Sequence, residues 1–291
     1  MPAETFTLET TDRADSATFR EFYAGYCQSF VLPDEMEDEE GFATCLALNH
    51  GAAYDQLSAQ HGPYREHCVV MRDGAGRAMA GANYIAIDHS HGSARPCITA
   101  NLNYIFVLPE FRGSGRFSAL VRALRDQIAG LFGPSDEPAL VFIEQNDPLR
   151  MSAEDYERDT RFTGMDQFDR LGIWARQGAL VVDFGYSQPP LSVDQEADGN
   201  LVYSVMGARE AHLHPRLLAH HLSGFFAISV MKGSPLPPVA AQQLDQLEAL
   251  ASQGREIDLI DPAAALKSAA AGKREGQSFR QFARAALTTR A

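Results

Sequence analysis

The chain has 291 residues, 45% of them hydrophobic and 22% charged, so it can bury a core and has the composition of a globular protein. Its formal net charge of −13 at pH 7 argues against a nucleic-acid partner, because surfaces that bind nucleic acids are basic. The four cysteines lack the spacing of metal or redox motifs, which indicates free thiols in a reducing compartment.

The sequence carries no pattern typical of export or membrane insertion. The N-terminus lacks the basic start and the apolar run of a signal peptide, and no apolar run is long enough to span a bilayer. We therefore expect a cytoplasmic protein without a membrane partner.

The first hundred residues predict one strand, two helices and a β-hairpin. Residues 5–9 are a short strand candidate, and either Asp15 or Ser16 can cap a first helix that has an aromatic stripe. An acidic loop at residues 32–40 leads into the second helix. Two apolar runs around the Asp-Gly-Ala-Gly sequence at residues 73–76 then indicate a hairpin.

Residues 98–133 predict a strand, a glycine-bearing loop and a helix in direct succession. The strand pattern alternates over residues 100–107, and Pro109 stops it because proline lacks a backbone donor. Arg-Gly-Ser-Gly-Arg follows at residues 112–116, and apolar residues at helical spacing over 117–131 predict the helix. Glycines in such a turn let backbone N–H groups converge, and the helix N-terminus and two arginines add positive charge. The stretch therefore predicts a site for a phosphate-bearing ligand.

The later part of the chain predicts a change from a mixed to a helical pattern. A β-branched run at residues 138–143 predicts a buried strand, and two further strands follow at 179–184 and 201–206. We predict two domains, an α/β domain at residues 1–211 and an all-helical C-terminal extension at residues 212–291. The basic residues of this extension are either a solvated face or a surface for a second copy or a partner protein.

The stretch VLPEFRGSGRFSALV, which begins at Val107, resembles the acyl-CoA-binding motif of the GNAT N-acyltransferase superfamily. In that motif a strand ends in a Val-x-Pro turn, and Arg/Gln-x-x-Gly-x-Gly/Ala opens a helix. One position departs from it, because Phe117 stands where the motif has a small residue. The order of elements over residues 1–211 also resembles the family, and the resemblance does not extend to the C-terminal helices. It implies a GNAT-like fold with a mixed, mainly antiparallel sheet and flanking helices.

The resemblance implies that acetyl-CoA is the acyl donor and that no metal takes part. In this family pantetheine pairs with the first strand, here with backbone groups of Ile105 and Val107. The Val107 N–H would then polarise the thioester carbonyl. Asn146 is a candidate to bond the pantetheine arm, or else it caps a turn. The residues implied in holding the pyrophosphate are Arg112, Gly113, Ser114, Gly115, Arg116, Phe117 and Ser118.

The implied reaction is direct attack of an amine on the thioester, for which a base takes a proton from the amine. Glu144, at the end of a predicted buried strand, is the candidate base, or else it is a strand-end residue paired with an arginine. The family's common acid is a tyrosine, and Phe168 stands in its place. Tyr104 or bulk water would then protonate the departing thiolate, and Tyr186 would line the acceptor side.

The resemblance implies an amine acceptor, either a small molecule or a lysine side chain. The acidic residues at 34–40 favour a cationic acceptor, or else they are solvated carboxylates that favour the N-terminus of the next helix. An alternative function belongs to a different class: a CoA-binding or interaction module that uses the GNAT fold and has lost catalysis.

Closely spaced histidines occur three times in the chain. Two ligands do not complete a metal site, so we expect these side chains at turns or on the surface. The three pairs are His89 with His91, His212 with His214, and His220 with His221.

Overall fold

The computed structural model describes residues 6–30, 36–90, 97–134, 137–190, 196–269 and 277–288. Within these residues the chain forms nine β-strands and ten α-helices. The strands are β1 (Phe6–Thr11), β2 (Tyr64–Asp73), β3 (Ala78–Asp88), β4 (Ile98–Val107), β5 (Leu140–Asn146), β6 (Leu180–Val182), β7 (Leu201–Met206), β8 (His212–Leu213) and β9 (Ile257–Ile260). The helices are α1 (Ala17–Ser29), α2 (Glu39–Ala47), α3 (Gly51–His61), α4 (Arg116–Ala129), α5 (Ala153–Thr163), α6 (Gln167–Arg176), α7 (Pro215–Phe225), α8 (Pro238–Ser252), α9 (Ala263–Ala269) and α10 (Phe279–Thr288).

The chain divides into two compact units. The first unit contains residues 1–139 and 227–234, and the second contains residues 140–226 and 235–291. This grouping does not follow the predicted boundary between residues 211 and 212, because one segment of the C-terminal region belongs to the first unit. The predicted pair of domains stays a prediction.

The sheet of the first unit consists of β1, β2, β3 and β4 in chain order, and each neighbouring pair is antiparallel. A register shift interrupts the pairing of β3 with β4. Asn83 lies opposite Tyr104 and Tyr84 lies opposite Leu102, so Asn103 is the extra residue of a β-bulge. The bulge changes the alternation of side chains along β4.

Helix α1 packs on the sheet of the first unit through its aromatic stripe. Of the two predicted caps, Ser16 is the one that forms, since its Oγ accepts a hydrogen bond from the Phe19 N–H at 3.0 Å. Phe19, Phe22 and Tyr26 are fully buried, which removes a large apolar area from water. The core cluster around them consists of Phe19, Phe22, Tyr26, Phe42, Leu46, Cys68, Val70, Phe106 and Leu108.

The sheet of the second unit is also antiparallel. Strand β5 pairs with β7, β7 with β6, β6 with β9, and β9 with β8. Asp147, just beyond β5, holds the start of α10, because its Oδ2 accepts the Phe279 N–H at 2.7 Å. The core cluster of this unit consists of Leu171, Val181, Val202, Ile260, Ala265, Phe279, Phe282 and Ala283.

The predicted mixed α/β fold with a mainly antiparallel sheet and flanking helices is confirmed, and C-terminal helices are present. The C-terminal region is not all-helical, however, because β8 and β9 lie within it. Ile257 and Leu259 of β9 are buried on either side of exposed Asp258, and four residues are too few to show this alternation in a sequence. The predicted second helix is two helices, because Gly51 has a left-handed φ of 64° and α3 begins there.

Replacing Ser16 with alanine should lower the free energy of unfolding by about 1 kcal/mol, because the first turn of α1 loses its cap. Urea denaturation followed by circular dichroism measures the change. Ser58, whose Oγ donates to the Asp55 carbonyl within α3, offers a matched control. Ser58→Ala should change the free energy by less than about 0.5 kcal/mol. Equal losses in the two variants would contradict the capping role.

Candidate functional site

The predicted phosphate loop connects β4 to α4 within the first unit. After Val107 the chain makes a 3₁₀ turn at Pro109–Phe111, and α4 begins at Arg116. Gly113 and Gly115 have left-handed φ values of 82° and 78°. A Cβ on either glycine would meet nothing within 4 Å, so the backbone conformation, and not a lack of space, favours glycine here.

The loop presents backbone donors at the N-terminus of α4. Within the described part of the chain, the N–H groups of Gly113, Ser114 and Gly115 form no hydrogen bond. At the start of α4 the Ala119 N–H donates to the Gly115 carbonyl at 3.0 Å. Three successive donors beside a helix N-terminus form the kind of concave backbone site that binds anions.

The two arginines of the loop stabilise its shape as well as adding charge. Arg112 Nε donates to the Val107 carbonyl oxygen at 3.0 Å. Arg116 Nη1 donates to the Phe111 carbonyl oxygen at 3.2 Å and to Ser114 Oγ. The Arg116 guanidinium also lies 5.4 Å from the centroid of the Phe111 ring. Both cations are therefore held next to the loop, Arg112 by the last residue of β4 and Arg116 by atoms of the loop.

The backbone of β4 has the orientation that pairing with an extended ligand requires. The Leu108 N–H donates to the Met79 carbonyl at 2.9 Å, so Leu108 faces β3. Because N–H groups alternate in direction along an antiparallel strand, those of Val107 and Ile105 point away from β3. The roles of Ile105 and Val107 in binding stay predictions.

Tyr104, a candidate acid, packs among aromatic rings of α1 and α2. Its ring centroid lies 4.9 Å from that of Tyr26, 5.4 Å from that of Phe30 and 5.5 Å from that of Phe42, all in edge-on arrangements. The side chain is half-buried, so part of it reaches the surface. Its proton-transfer role stays a prediction.

The first unit also contains a buried set of hydrogen-bonded side chains, which we call the Glu66 network. Glu66, on β2, is 1% exposed. Its Oε1 accepts from Asn83 Nδ2 at 2.7 Å and from Asn103 Nδ2 at 3.2 Å, and its Oε2 accepts from Ser229 Oγ at 2.7 Å. Asn103 also bonds Asn83 and Asn101. The members of the network are Glu66, Asn83, Asn101, Asn103 and Ser229.

Burial raises the pKa of Glu66 to about 7, because a carboxylate away from water is costly to ionise. The hydrogen bonds from Ser229, Asn83 and Asn103 act against this increase. A carboxyl that titrates near neutral pH within a polar cluster is a common feature of functional sites.

The segment that carries Ser229 also contacts α2 and the residues before it. The Cys45 thiol on α2 lies 3.5 Å from the Ser229 carbonyl oxygen. Lys232 Nζ forms an ion pair with Glu37 Oε2 at 2.7 Å, and both side chains are more than four-fifths buried. Lys232 also has a left-handed φ of 52°, which is unfavourable for a residue with a side chain.

Sequence reasoning missed the Glu66 network. One available signal was Glu66 itself, which alternates with Cys68 and Val70 on the apolar face of a predicted strand. A second was the pair of asparagines at alternate positions of β4. The partner Ser229 lies 163 residues from Glu66 in the sequence, and no local pattern connects them.

The acidic residues before α2 have structural partners. Glu37 pairs with Lys232, and the Asp38 side chain caps α2 by accepting the Gly41 N–H at 2.7 Å. Glu39 and Glu40 lie in the first turn of α2, where negative charge is favourable. These positions support the interpretation that carboxylates favour the helix N-terminus. Asp34 and Glu35 lie outside the described residues.

In the second unit, the predicted base Glu144 is hydrogen-bonded to Tyr186. The Tyr186 hydroxyl donates to Glu144 Oε1, and the Tyr186 ring stacks on Tyr203 with centroids 4.2 Å apart. Burial raises the pKa of Tyr186, so its hydroxyl remains a donor. Arg150, one of the arginines considered as a partner for Glu144, donates to the Gly199 carbonyl at 3.0 Å.

Asn146 and Phe168 also belong to the second unit. Asn146 ends β5 opposite Leu201 and is half-buried, and its predicted contact with pantetheine stays a prediction. Phe168 in α6 packs on Phe279, with ring centroids 6.4 Å apart. An apolar side chain thus fills the position at which the resemblance implies an acid.

The expectation of turn or surface histidines is wrong for two of them. His89 is 8% exposed and its Nε2 lies 2.8 Å from Thr99 Oγ1. His221 is fully buried and its Nε2 lies 2.9 Å from the Tyr203 hydroxyl. Burial of an imidazole requires such polar partners, which the sequence spacing does not show. His91 lies outside the described residues.

The described residues contain neither a metal-binding cluster nor a membrane-spanning helix. No group of three or more His, Cys, Asp or Glu side chains among them is arranged to hold a metal ion. No helix in this part of the chain has the length and apolar character needed to cross a membrane. All four cysteines are free thiols, as expected.

Comparison with known proteins gives matches among solved structures alone. No protein-family model and no curated protein matches the chain. The ribosomal-protein-S18-alanine N-acetyltransferase from Escherichia coli is 14% identical, with 72% of this chain and 100% of that chain covered and a TM-score of 0.38. A spermidine N-acetyltransferase from Vibrio cholerae is 11% identical, with 69% and 92% covered and a TM-score of 0.36.

A third match is a tandem GNAT protein from the clavulanic acid biosynthesis pathway. It is 13% identical, with 63% of this chain and 46% of that chain covered and a TM-score of 0.41. The chain resembles the GNAT fold. At these identities and TM-scores the likeness to GNAT acetyltransferases does not identify an activity or an acceptor for this chain.

The pH dependence of stability should report the burial of Glu66. The pKa of Glu66 rises from 4.5 to about 7 on folding, so between these values the folded chain keeps a proton that the unfolded chain has released. The free energy of unfolding should therefore fall as pH rises from 4.5 to 7, by about 3 kcal/mol from this group. Urea denaturation of the wild type and of Glu66→Gln between pH 5 and 7.5 measures the difference.

Glu9→Gln provides the control for this experiment. Hydrogen bonds from Thr18 and Arg72 lower the pKa of Glu9, so this carboxyl stays ionised throughout the range. The difference between wild type and Glu9→Gln should therefore stay constant with pH. A constant difference for Glu66→Gln as well would contradict the raised pKa of Glu66.

Proposed function

We propose that this chain is an acyl-CoA-dependent N-acyltransferase that moves an acetyl group from acetyl-CoA to an amine. The observation that carries the proposal is the loop between β4 and α4. Its three N–H donors at Gly113, Ser114 and Gly115 adjoin a helix N-terminus and two arginines. This set of donors suits a pyrophosphate, which has several charged oxygens.

The start of α4 supports the same proposal. Phe117 replaces the small residue of the motif, yet α4 begins at Arg116, so the helix N-terminus forms at the position the motif requires. We assign Arg112 and Arg116 the role of adding charge while bracing the loop. Phe117 and Ser118, in the first turn of α4, complete the proposed pyrophosphate site.

The proposed transfer uses the backbone of β4. The N–H groups of Ile105 and Val107 point away from β3, which supports pairing with pantetheine along this strand. The Val107 N–H would donate to the thioester oxygen as negative charge develops on it. Asn146 is assigned to the pantetheine arm.

The acceptor nitrogen attacks the thioester carbon in its neutral form. At pH 7 an alkyl amine with a pKa of about 10 must first lose a proton, at a cost of about 4 kcal/mol. We assign Glu144 as the base that takes this proton, with Tyr186 orienting its carboxylate. The CoA thiolate leaves and is protonated by Tyr104 or by water. The acceptor is a small-molecule amine or a lysine side chain.

A CoA-binding module without catalysis is the second candidate. The observation that favours it is Phe168, which packs on Phe279 where the resemblance implies an acid. In that case the chain binds CoA through the same loop, and the C-terminal helices serve a partner protein or a second copy.

Ligand binding and thiol release together test the two functions. Acetyl-CoA and CoA should each raise the melting temperature, because they bind the folded chain alone. Thiol release is then measured with spermidine, lysine methyl ester and a peptide that has an N-terminal alanine, which present three kinds of amine. Release with any of them supports the transferase. Stabilisation without release supports the module, and the absence of stabilisation by either ligand contradicts both.

Gly115→Val should weaken acetyl-CoA binding about tenfold or more, because a β-branched residue does not adopt the left-handed conformation of the loop. Isothermal titration calorimetry measures the affinity. Gly76→Val is the matched control, since Gly76 has a φ of 82° and equally open space in the β2–β3 hairpin. The control should lose stability and keep its affinity. Unchanged affinity in Gly115→Val would exclude the loop as the pyrophosphate site.

A further inference from the structure

The Glu66 network reaches the surface at Asn103. Glu66, Asn83 and Asn101 are 1%, 2% and 0% exposed, whereas the other two members, Asn103 and Ser229, are half-buried. Asn103 is also the extra residue of the β-bulge in β4. Of the two half-buried members, Asn103 lies on β4, the strand that also carries Val107, so its amide is the group that can meet a ligand bound along this strand.

The carboxylate of Glu66 determines which way the Asn103 amide points. An ionised carboxylate accepts hydrogen bonds and donates none, so Asn103 Nδ2 faces Glu66, at 3.2 Å. The second hydrogen of Nδ2 goes to Asn83 Oδ1 at 2.9 Å. Both N–H groups are thus used inside the network, and the assignment of the amide orientation follows from these bonds.

The carbonyl end of the same amide has capacity for one more donor. Asn103 Oδ1 accepts one hydrogen bond from the described residues, from Asn101 Nδ2 at 3.0 Å. An amide oxygen has two lone pairs, so a ligand N–H can bond there as well.

The charge behind Asn103 favours a cationic donor. Both oxygens of the Glu66 carboxylate are held by neutral donors, so its negative charge is not cancelled by direct contact with a cation. The cation that acts on it from a distance, Lys232, is itself paired with Glu37 at 2.7 Å. An ammonium group at Asn103 Oδ1 would lie one amide away from a buried negative charge, where screening by water is weak.

The position of Asn103 along β4 separates an ammonium group bound there from the nitrogen that is acylated. Val107 lies four residues further along the strand, which corresponds to roughly 13 Å at about 3.3 Å per residue. A group held by Asn103 is therefore remote from a nitrogen that attacks a thioester at Val107.

Resting on the proposed function, we propose that Asn103 Oδ1 binds a second, non-reacting ammonium group of the acceptor, with Glu66 as the positioning residue. The acceptor class is then a dication that carries one amine to be acylated and another held at Asn103. Neutral donors such as hydroxyl groups would bind less tightly to Asn103 Oδ1, because they lack the electrostatic attraction to Glu66.

Titration of Glu66 makes this binding pH-dependent. Burial raises the pKa of Cys45 on α2, Cys68 on β2 and Tyr84 on β3, the titratable groups that face Glu66 from these elements. Tyr64 on β2 has a raised pKa for the same reason. These groups stay neutral near pH 7, whereas Glu66 ionises there, so ammonium binding should strengthen as pH rises from 5.5 to 8.

Binding of 1,8-diaminooctane, with n-octylamine as the monoamine control, tests the subsite. Side-chain amide resonances of protein labelled with ¹⁵N-asparagine report where the amine binds. At pH 8 the diamine should shift the Asn103 amide and bind about tenfold more tightly than the monoamine. Its affinity should fall about fivefold at pH 5.5. Equal affinities for the two amines, or no shift at Asn103, would overturn the proposal.

Variants separate the positioning role from a merely structural one. Asn103→Ala should remove the advantage of the diamine, and Glu66→Gln should remove the pH dependence. Glu9→Gln, on the neighbouring strand β1, should keep both the tighter binding of the diamine and its pH dependence. Persistence of the pH dependence in Glu66→Gln would overturn the role of Glu66. If that variant does not fold, Asn103→Ala and the wild-type pH profile decide the question.

This experiment is independent of acyl transfer. Because amine binding is measured without acetyl-CoA, a chain that binds the diamine at Asn103 and releases no thiol contradicts the proposed transferase alone. A chain that releases thiol and does not distinguish the two amines contradicts the subsite alone.

Discussion

The left-handed backbone at Gly113 and Gly115 is the constraint on which the candidate site depends. It turns the chain from β4 into α4 within a few residues and leaves successive N–H groups without partners in the described chain. For residues with a side chain this conformation costs about 1–2 kcal/mol at each position. Glycine avoids this cost, and the two arginines further stabilise the turn, because each donates to a carbonyl of the loop or of the strand before it.

The first unit combines two chemically different regions on one strand. The end of β4 leads into a positively charged loop with outward donors, whereas its middle contains a polar network around a buried carboxylate. The first suits an anionic ligand and the second a cationic one. A residue from the C-terminal region, Ser229, completes the second region, so the network depends on the folding of distant parts of the chain.

Local signals in the sequence predicted the mixed α/β class and the strand, loop and helix of residues 98–133. Pro109 correctly marks the end of β4, and Ser16 correctly marks the start of α1. These features depend on backbone chemistry within a few residues. Features that depend on distant partners were not predictable. The bond of Tyr186 to Glu144 spans 42 residues, and the burial of His221 depends on Tyr203.

The short strand β9 shows the same limit, because four residues carry too little periodicity to distinguish a strand from a loop between helices. The division of the predicted second helix at Gly51 depends on a single φ angle. In the candidate site, the loop was visible because glycines and arginines are adjacent in sequence. The Glu66 network was not, because its members come from three strands and a distant segment.

Backbone amide resonances recorded during a titration with CoA test whether the loop between β4 and α4 binds this ligand. If the loop binds the pyrophosphate, the amides of Gly113, Ser114 and Gly115 should show saturable shifts, and the Val107 amide should respond at the same ligand concentrations. These donors would change their environment most when a pyrophosphate and a pantetheine arm bind. Binding of CoA that leaves these four amides unchanged and shifts others would exclude the loop and β4 as the binding site.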